Sequence, residues 1–252
     1  LTGLLEVCVD SEFNPEGSMT IGELRIQGET DEEYLVSTYC CHPSMANDNL
    51  SGLLTAAFLA RKLSMGATPY RSWRFVFVPE TIGAIAYLCY NELEMKRIRG
   101  GLVVTTCGGP GPFGYKESYL KNHLVDRAIR LSFRDRNIEP IYYPFVPDGS
   151  DERQYSSPGF RIPVATITRD KYYEYPEYHT SLDNLEFVKG TQILESLSVY
   201  YDVVEMLDKN GVFQSSSPYG EPQLGRRGLY PSIGGSVNQL GASSDSQPEQ
   251  PD

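Results

Sequence analysis

His42 and Asp48 stand six residues apart in the run Cys41-His42-Pro43-Ser44-Met45-Ala46-Asn47-Asp48-Asn49-Leu50-Ser51-Gly52. Histidine is scarce, three in 252 residues, so each position carries weight. Glu80 falls in Val78-Pro79-Glu80-Thr81-Ile82-Gly83, Asp151 in Asp148-Gly149-Ser150-Asp151-Glu152-Arg153, and His179 in Tyr178-His179-Thr180-Ser181-Leu182-Asp183. Imidazoles and carboxylates together suit Zn²⁺, which takes nitrogen and oxygen donors at about 2.0–2.2 Å. A carboxylate that is not a ligand can serve as a general base. Each residue also has an ordinary structural role open to it. Asp48 can cap a helix beginning near Asn49, Glu80 can sit in the first turn of another, Asp148-Gly149 can be a turn, and Asp183 can cap the turn before the last helix. His123 opens a helix with no comparable motif around it and serves as the control. Arg153 could meet a substrate carboxylate or pair with Glu152.

The elements that must position these groups follow from hydrophobic periodicity. Strand-like stretches cover 21–27, 33–40, 72–78, 101–106, 138–145 and 162–168, and helix-like stretches cover 49–65, 82–97, 121–135 and 191–209. In the last helix Ile193, Leu194, Leu197, Tyr200, Tyr201, Val204 and Leu207 fall near one face, with the two tyrosine hydroxyls expected at its edge. Alternating strands and helices predict an α/β protein with a mostly parallel sheet covered on both sides. Ligands of such sheets collect beyond the carboxyl ends of strands, and each candidate loop follows a predicted strand. Tyr142, Tyr143, Tyr155, Tyr172, Tyr173, Tyr175 and Tyr178 crowd two of these loops and could wall a site for an apolar side chain or a sugar. Residues 1–20 do not fit the alternation and read as the edge of a truncated or inserted β segment. The main domain covers 21–211, followed by an extended strap at 212–235. The Ser-, Gln- and Pro-rich residues 236–252 are expected to be disordered.

Net charge is −11. An acidic chain argues against a nucleic-acid partner, because phosphate binding needs a cationic face. No apolar run approaches the roughly 18 residues of a membrane span. Five cysteines without C-x-x-C spacing read as reduced thiols of a cytoplasmic protein. The sequence starts at Leu1 without an initiator Met, as a fragment of a longer protein would.

Asp48-Asn49-Leu50-Ser51-Gly52 resembles the D-N-x-S-G of zinc-dependent exopeptidases of the aminopeptidase Y type. Glu80-Thr81-Ile82-Gly83 resembles their E-E-x-G. Ser150-Asp151-Glu152-Arg153, followed by Gly159-Phe160-Arg161-Ile162-Pro163, resembles S-D-H followed by G-I-P, and Tyr178-His179-Thr180-Ser181-Leu182-Asp183 resembles Y-H-T-P-x-D. More narrowly, Cys41-His42-Pro43-Ser44 and the segment Gly220 to Tyr230 are similar to a bacterial aminopeptidase-like family with an inserted β-domain before this region and a winged-helix domain after it.

The resemblance implies a three-layer α-β-α fold with a mostly parallel, mixed sheet. It also implies metal ligands at His42, Asp48, Asp151 and His179, with Glu80 as the general base that activates water. Two departures bear on the metal. Thr81 stands where the family has a second Glu, normally a ligand, and Ser44 where an Asp orients the imidazole. One tightly bound Zn²⁺ is therefore expected, held by His42, Asp48 and His179, with Asp151 as a ligand or just behind one. The expected reaction is hydrolysis of an amide bond, as in removal of an N-terminal residue from a peptide, an aminoacyl compound or an N-acyl small molecule. Arg153, Tyr175 and Tyr178 would contact substrate, and Glu152, Glu174 or Glu177 would anchor the free amine. Deacylation or carboxypeptidase cleavage on the same fold is a further reading. A non-catalytic module binding a peptide or glycan is the alternative, motivated by Thr81. A homo-oligomer remains open.

Overall fold

The computed structural model describes residues 3, 4, 6–211, 214–216, 218–220, 225, 228 and 229. Their elements run β1 (Gly22–Ile26), β2 (Glu33–Cys40), α1 (Gly52–Ser64), β3 (Ser72–Pro79), α2 (Ile82–Tyr90), α3 (Glu92–Met95), β4 (Gly100–Val104), β5 (Phe113–Lys116), α4 (Leu124–Asp135), β6 (Ile141–Tyr143), α5 (Glu152–Tyr155), β7 (Val164–Arg169) and α6 (Gly190–Lys209). The chain divides into Leu1–Asn210, which holds all of these elements, and Gly211–Asp252. No strand precedes Gly22 among the described residues, and described residues 6–20 are exposed. The expected strap at 212–235 lies mostly, and the expected tail at 236–252 wholly, outside the described residues. No helix among the described residues is long and apolar enough to cross a membrane.

The strands form one mixed sheet in the order β1-β3-β2-β4-β7-β5-β6. β2, β3, β4 and β7 are parallel, while β1 is antiparallel to β3 and β5 to β7. Side chains alternate across the strands and divide the core in two. Tyr34, Val36, Trp73, Phe75, Leu102 and Val104 pack under α1, α4 and α6. Leu35, Tyr39, Val76, Val78 and Val103 pack under α2, α3 and α5. A strand covered on both faces is buried along its length, and in β2 the run is mostly apolar, with the buried hydroxyls of Ser37 and Thr38 hydrogen-bonded.

Several boundaries differ from expectation. The helix expected at 49–65 begins at Gly52, because Ala46–Ser51 forms an irregular turn with Asp48 and Asn49 outside helical geometry. The helix expected at 82–97 breaks at Asn91 into α2 and α3. β5, only four residues long after a Gly-Pro-Gly-Pro run, was not expected. The buried face of α6 is carried by Val199, Tyr200, Val203, Val204 and Leu207, and Leu194 is exposed. Tyr200 does not keep its hydroxyl at the edge. It is buried and donates to the carbonyl of Ile167 at 2.6 Å, satisfying the hydroxyl within the core.

Candidate metal centre

Asp48 lies at the focus of the loops beyond β2, β3 and β7. Its side chain is buried, at 3% exposure, and both imidazoles reach it. His42 Nδ1 is 3.6 Å and His179 Nε2 3.2 Å from Asp48 Oδ2, and the two rings have centroids 4.1 Å apart. Tyr39 donates its hydroxyl to Asp48 Oδ1 at 3.2 Å. Burial pushes the Asp48 carboxyl above its ordinary range, against the pull of His42, the Tyr39 hydroxyl and His179.

The residues around Asp48 account for the local motif. Asn49 donates its side-chain amide to Thr38 Oγ1 and to the Tyr39 carbonyl, both at 3.1 Å, and its Oδ1 accepts from the Thr106 N–H at 3.2 Å. Ser51 Oγ accepts from the Cys107 N–H at 2.8 Å, and Asn47 Oδ1 from the Gly108 N–H at 2.8 Å. A Cβ on Gly52 would lie 2.1 Å from Asn49 Oδ1 and 2.6 Å from the Val104 carbonyl oxygen, so only glycine fits. The Asp48–Asn49 peptide bond is cis. Asp183 clamps this loop to the one carrying His179. Its two carboxylate oxygens accept the Asn47 N–H at 2.6 Å and the Asp48 N–H at 3.0 Å. Its role is thus not the local cap considered from sequence.

Glu80 follows β3 and Asp151 precedes α5. β6 runs in the direction of β5 and opposite to the four parallel strands. Asp151 therefore does not sit at the carboxyl end of a parallel strand as expected. The connection after β6 carries it back to the end of β3, where Asp151 Oδ1 accepts the Thr81 N–H at 2.7 Å. Thr81 has φ of +61°, a left-handed conformation unusual for a β-branched residue and of the kind that collects at functional sites. Asp151 is fully buried, and its Oδ2 has no hydrogen-bond partner. Burial pushes its carboxyl up to about 7, opposed by the Thr81 N–H and raised further by Glu80. Glu80 is half-buried and also raised, by burial first and then by Asp48, while His42 pulls it down. Arg153 lowers both acids and leaves its buried Nε unpartnered. It does not pair with Glu152, which is buried against Lys116 Nζ at 2.7 Å.

The tyrosine wall is smaller than expected. Tyr178 stacks on His179 with ring centroids 3.8 Å apart, and Tyr173 is exposed beside it. Tyr175, expected against substrate, is buried instead, because its hydroxyl donates to Asp183 and its ring stacks on Phe187. Tyr155 is in the core, hydrogen-bonded to Ser37 at 2.8 Å. Of the three acids considered for an amine anchor, Glu152 pairs with Lys116 and Glu174 with Lys171. His123 caps α4, accepting the Val125 N–H at Nδ1.

The donor set fits a divalent ion. The buried Asp48 carboxylate faced by two imidazoles offers nitrogen and oxygen donors together, and Asp151 keeps one buried oxygen without a hydrogen-bond partner, a costly arrangement without a proton or a cation. Cys41, not considered as a ligand from sequence, joins them. The donor atoms of Cys41, His42 and Asp48 lie within 4.8 Å of one another. A cavity of about 560 Å³ opens beside these donors, lined by Cys41, His42, Met45, Leu50, Leu53 and Leu185 among others.

The seven-stranded mixed sheet with helices on both faces is the fold of solved zinc aminopeptidases. The structure matches an aminopeptidase from Aneurinibacillus sp. strain AM-1 with a TM-score of 0.65 and 19% identity, over 76% of this chain and 48% of that one. It matches a zinc aminopeptidase from Bacillus subtilis with a TM-score of 0.62 and 20% identity, over 76% of this chain and 50% of that one. The sequence profile of a domain of unknown function, DUF4910, matches residues 11–210, and the chain belongs to that family. A winged helix-turn-helix profile matches residues 211–246. A Clostridium acetobutylicum protein, provisionally named for polysaccharide biosynthesis with an aminopeptidase-like domain, is 43% identical over 230 residues, 91% of this chain and 52% of its own length. A crystal structure of a provisionally named peptidase from the same species has a TM-score of 0.76 and 40% identity, over 82% of this chain and 49% of that one. The chain thus spans about half the length of the curated relative it matches.

Proposed function

We propose that the unit Leu1–Asn210 hydrolyses an amide bond, most simply one that releases the N-terminal residue of a peptide, at a single Zn²⁺ site. His42, Asp48 and His179 would hold the ion, with Asp151 as a further ligand or directly behind one. A zinc ion in such a site lowers the pKa of water toward 7 and stabilises negative charge developing on a carbonyl oxygen. Glu80 takes the proton of the attacking water at its carboxylate and passes it to the leaving amine. Its raised pKa suits both halves of that transfer. Arg153, whose charge lowers both Glu80 and Asp151, would orient a polar group of the substrate through its guanidinium. Tyr178 backs His179 and fixes its ring.

The observation that carries this reading is the buried Asp48 carboxylate approached by both His42 and His179. Glu80→Gln is the test: it is expected to keep zinc and lose hydrolysis of aminoacyl substrates, and unchanged turnover would remove Glu80 as the base. A second reading, in which the same site binds a peptide or glycan without cleaving it, is favoured by Thr81 in place of an acidic donor. Zinc binding with no turnover across free-amine and N-acyl substrates would select it.

A further inference from the structure

The ligand set above is short of a donor, because Thr81 offers a hydroxyl where an acid would be expected and turns its backbone N–H to Asp151. β2 ends at Cys40, which faces outward, and the next residue, Cys41, turns inward and is partly buried. Cys41 Sγ lies 3.2 Å from His42 Nδ1 and 3.8 Å from Asp48 Oδ1, and His42 Nδ1 lies 3.6 Å from Asp48 Oδ2. Ligands bound tetrahedrally at zinc bond lengths stand about 3.3–3.7 Å from one another. The Sγ–Nδ1 and Nδ1–Oδ2 separations fall close to those values, and one donor atom from each of Cys41, His42 and Asp48 lies within 4.8 Å of the others. Asp48 presents Oδ1 to Cys41 and Oδ2 to both imidazoles, so one carboxylate links the thiol to His42 and His179.

We infer that Cys41 is a ligand of the metal held by His42 and Asp48, adding a third donor to that pair. This rests on the metal site proposed above and extends its ligand list. A thiolate makes the site softer than one built from imidazole and carboxylate alone, favouring Zn²⁺ over Mg²⁺ or Ca²⁺. It also withdraws the thiol from the wall of the neighbouring cavity, which Cys41 lines.

The test is Co²⁺ titration of the full chain under a non-thiol reductant, read by absorption. The wild type is expected to show visible d–d bands together with a near-ultraviolet thiolate-to-Co²⁺ charge-transfer band. Cys41→Ser loses the near-ultraviolet band, keeps weakened d–d bands and binds Zn²⁺ at least tenfold more weakly, whereas Cys40→Ser retains both bands. The d–d bands without the charge-transfer band in the wild type would overturn the role of Cys41 and leave the metal site standing. No cobalt bands at all would overturn both. A readout on the wild type alone guards against a misfolded variant. Zn²⁺ is expected to slow alkylation of Cys41 by iodoacetamide at least tenfold, measured by peptide mass spectrometry with exposed Cys40 as the internal reference. Equal protection of the two cysteines, or of neither, would refute the ligand.

Discussion

Asp151→Asn separates what the centre costs the fold from what it does for a metal. The carboxyl is fully buried and accepts one hydrogen bond, from Thr81, leaving Oδ2 bare. Its pKa rises from an ordinary 3.8 to about 7, chiefly by burial. At about 1.4 kcal/mol per pH unit, that displacement is on the order of 4 kcal/mol against holding the charge in the metal-free protein. A folded-state pKa above the unfolded value means that the folded chain holds the extra proton between pH 3.8 and about 7. The metal-free protein should therefore lose stability as pH rises toward 7, with nothing further lost to this group above it. Asparagine keeps the oxygen that Thr81 needs and removes the charge. Urea unfolding in chelator should show Asp151→Asn more stable than the wild type at pH 8, by about 1–3 kcal/mol, within the ceiling set by the shift. The difference should vanish near pH 4. Zn²⁺ should then narrow the gap. An ion at a hundredfold excess over its Kd adds about 2.7 kcal/mol to the form that binds it, and the variant should gain less. A metal-free variant less stable than the wild type at pH 8, with an unchanged pH slope, would refute the reasoning.

Two other perturbations follow from the same contacts. Asp183→Ala strips the acceptor from the Asn47 and Asp48 N–H groups, both buried, and should cost about 2–5 kcal/mol in urea unfolding and weaken zinc in a competition assay; an unchanged zinc affinity would show that the clamp does not position Asp48. His123 caps α4 through an unprotonated Nδ1, and burial lowers its pKa, partly countered by Asp126. The unfolded chain then takes up the proton first, so the contribution of this cap is present above about pH 6.5 and lost as pH falls. His123→Asn keeps a capping oxygen and should flatten the loss between pH 7 and 5, measured by urea midpoints; an unchanged slope would assign the acid sensitivity elsewhere.

What could be read in the sequence was what is written locally. β2 was legible over its full length because a central strand covered on both faces reads as a largely apolar run, here interrupted only by Ser37 and Thr38 after Glu33. α6 was legible as a helix, but its face was misjudged in part: Leu194 is exposed while Val199 and Val203 are buried, and Tyr200 keeps its hydroxyl inside the core by donating to the Ile167 carbonyl. β5 escaped because four residues after a Gly-Pro run offer too short a period to detect, and with it escaped the reversal of β6. That reversal hid how Asp151 reaches the end of β3. Tyr175 was taken for a substrate contact because an aromatic cluster on a loop looks the same whether it faces solvent or an acid in the interior.

Cys41 and Asp183 share one reason for having been missed. The thiol is beside His42 in sequence, yet its meaning depends on Asp48 folding back toward it. Asp183 is separated from Asp48 by 135 residues and acts only across the joint of two loops. The motif Asp48-Asn49-Leu50-Ser51-Gly52 reports the shape of one loop, through Asn49, Ser51 and Gly52, whose partners lie in β2 and just after β4. It does not report which atoms from other loops close on Asp48. The loop geometry does not fix which donors reach Asp48, so metal chemistry in such a fold has to be read from the atoms that meet at the carboxylate.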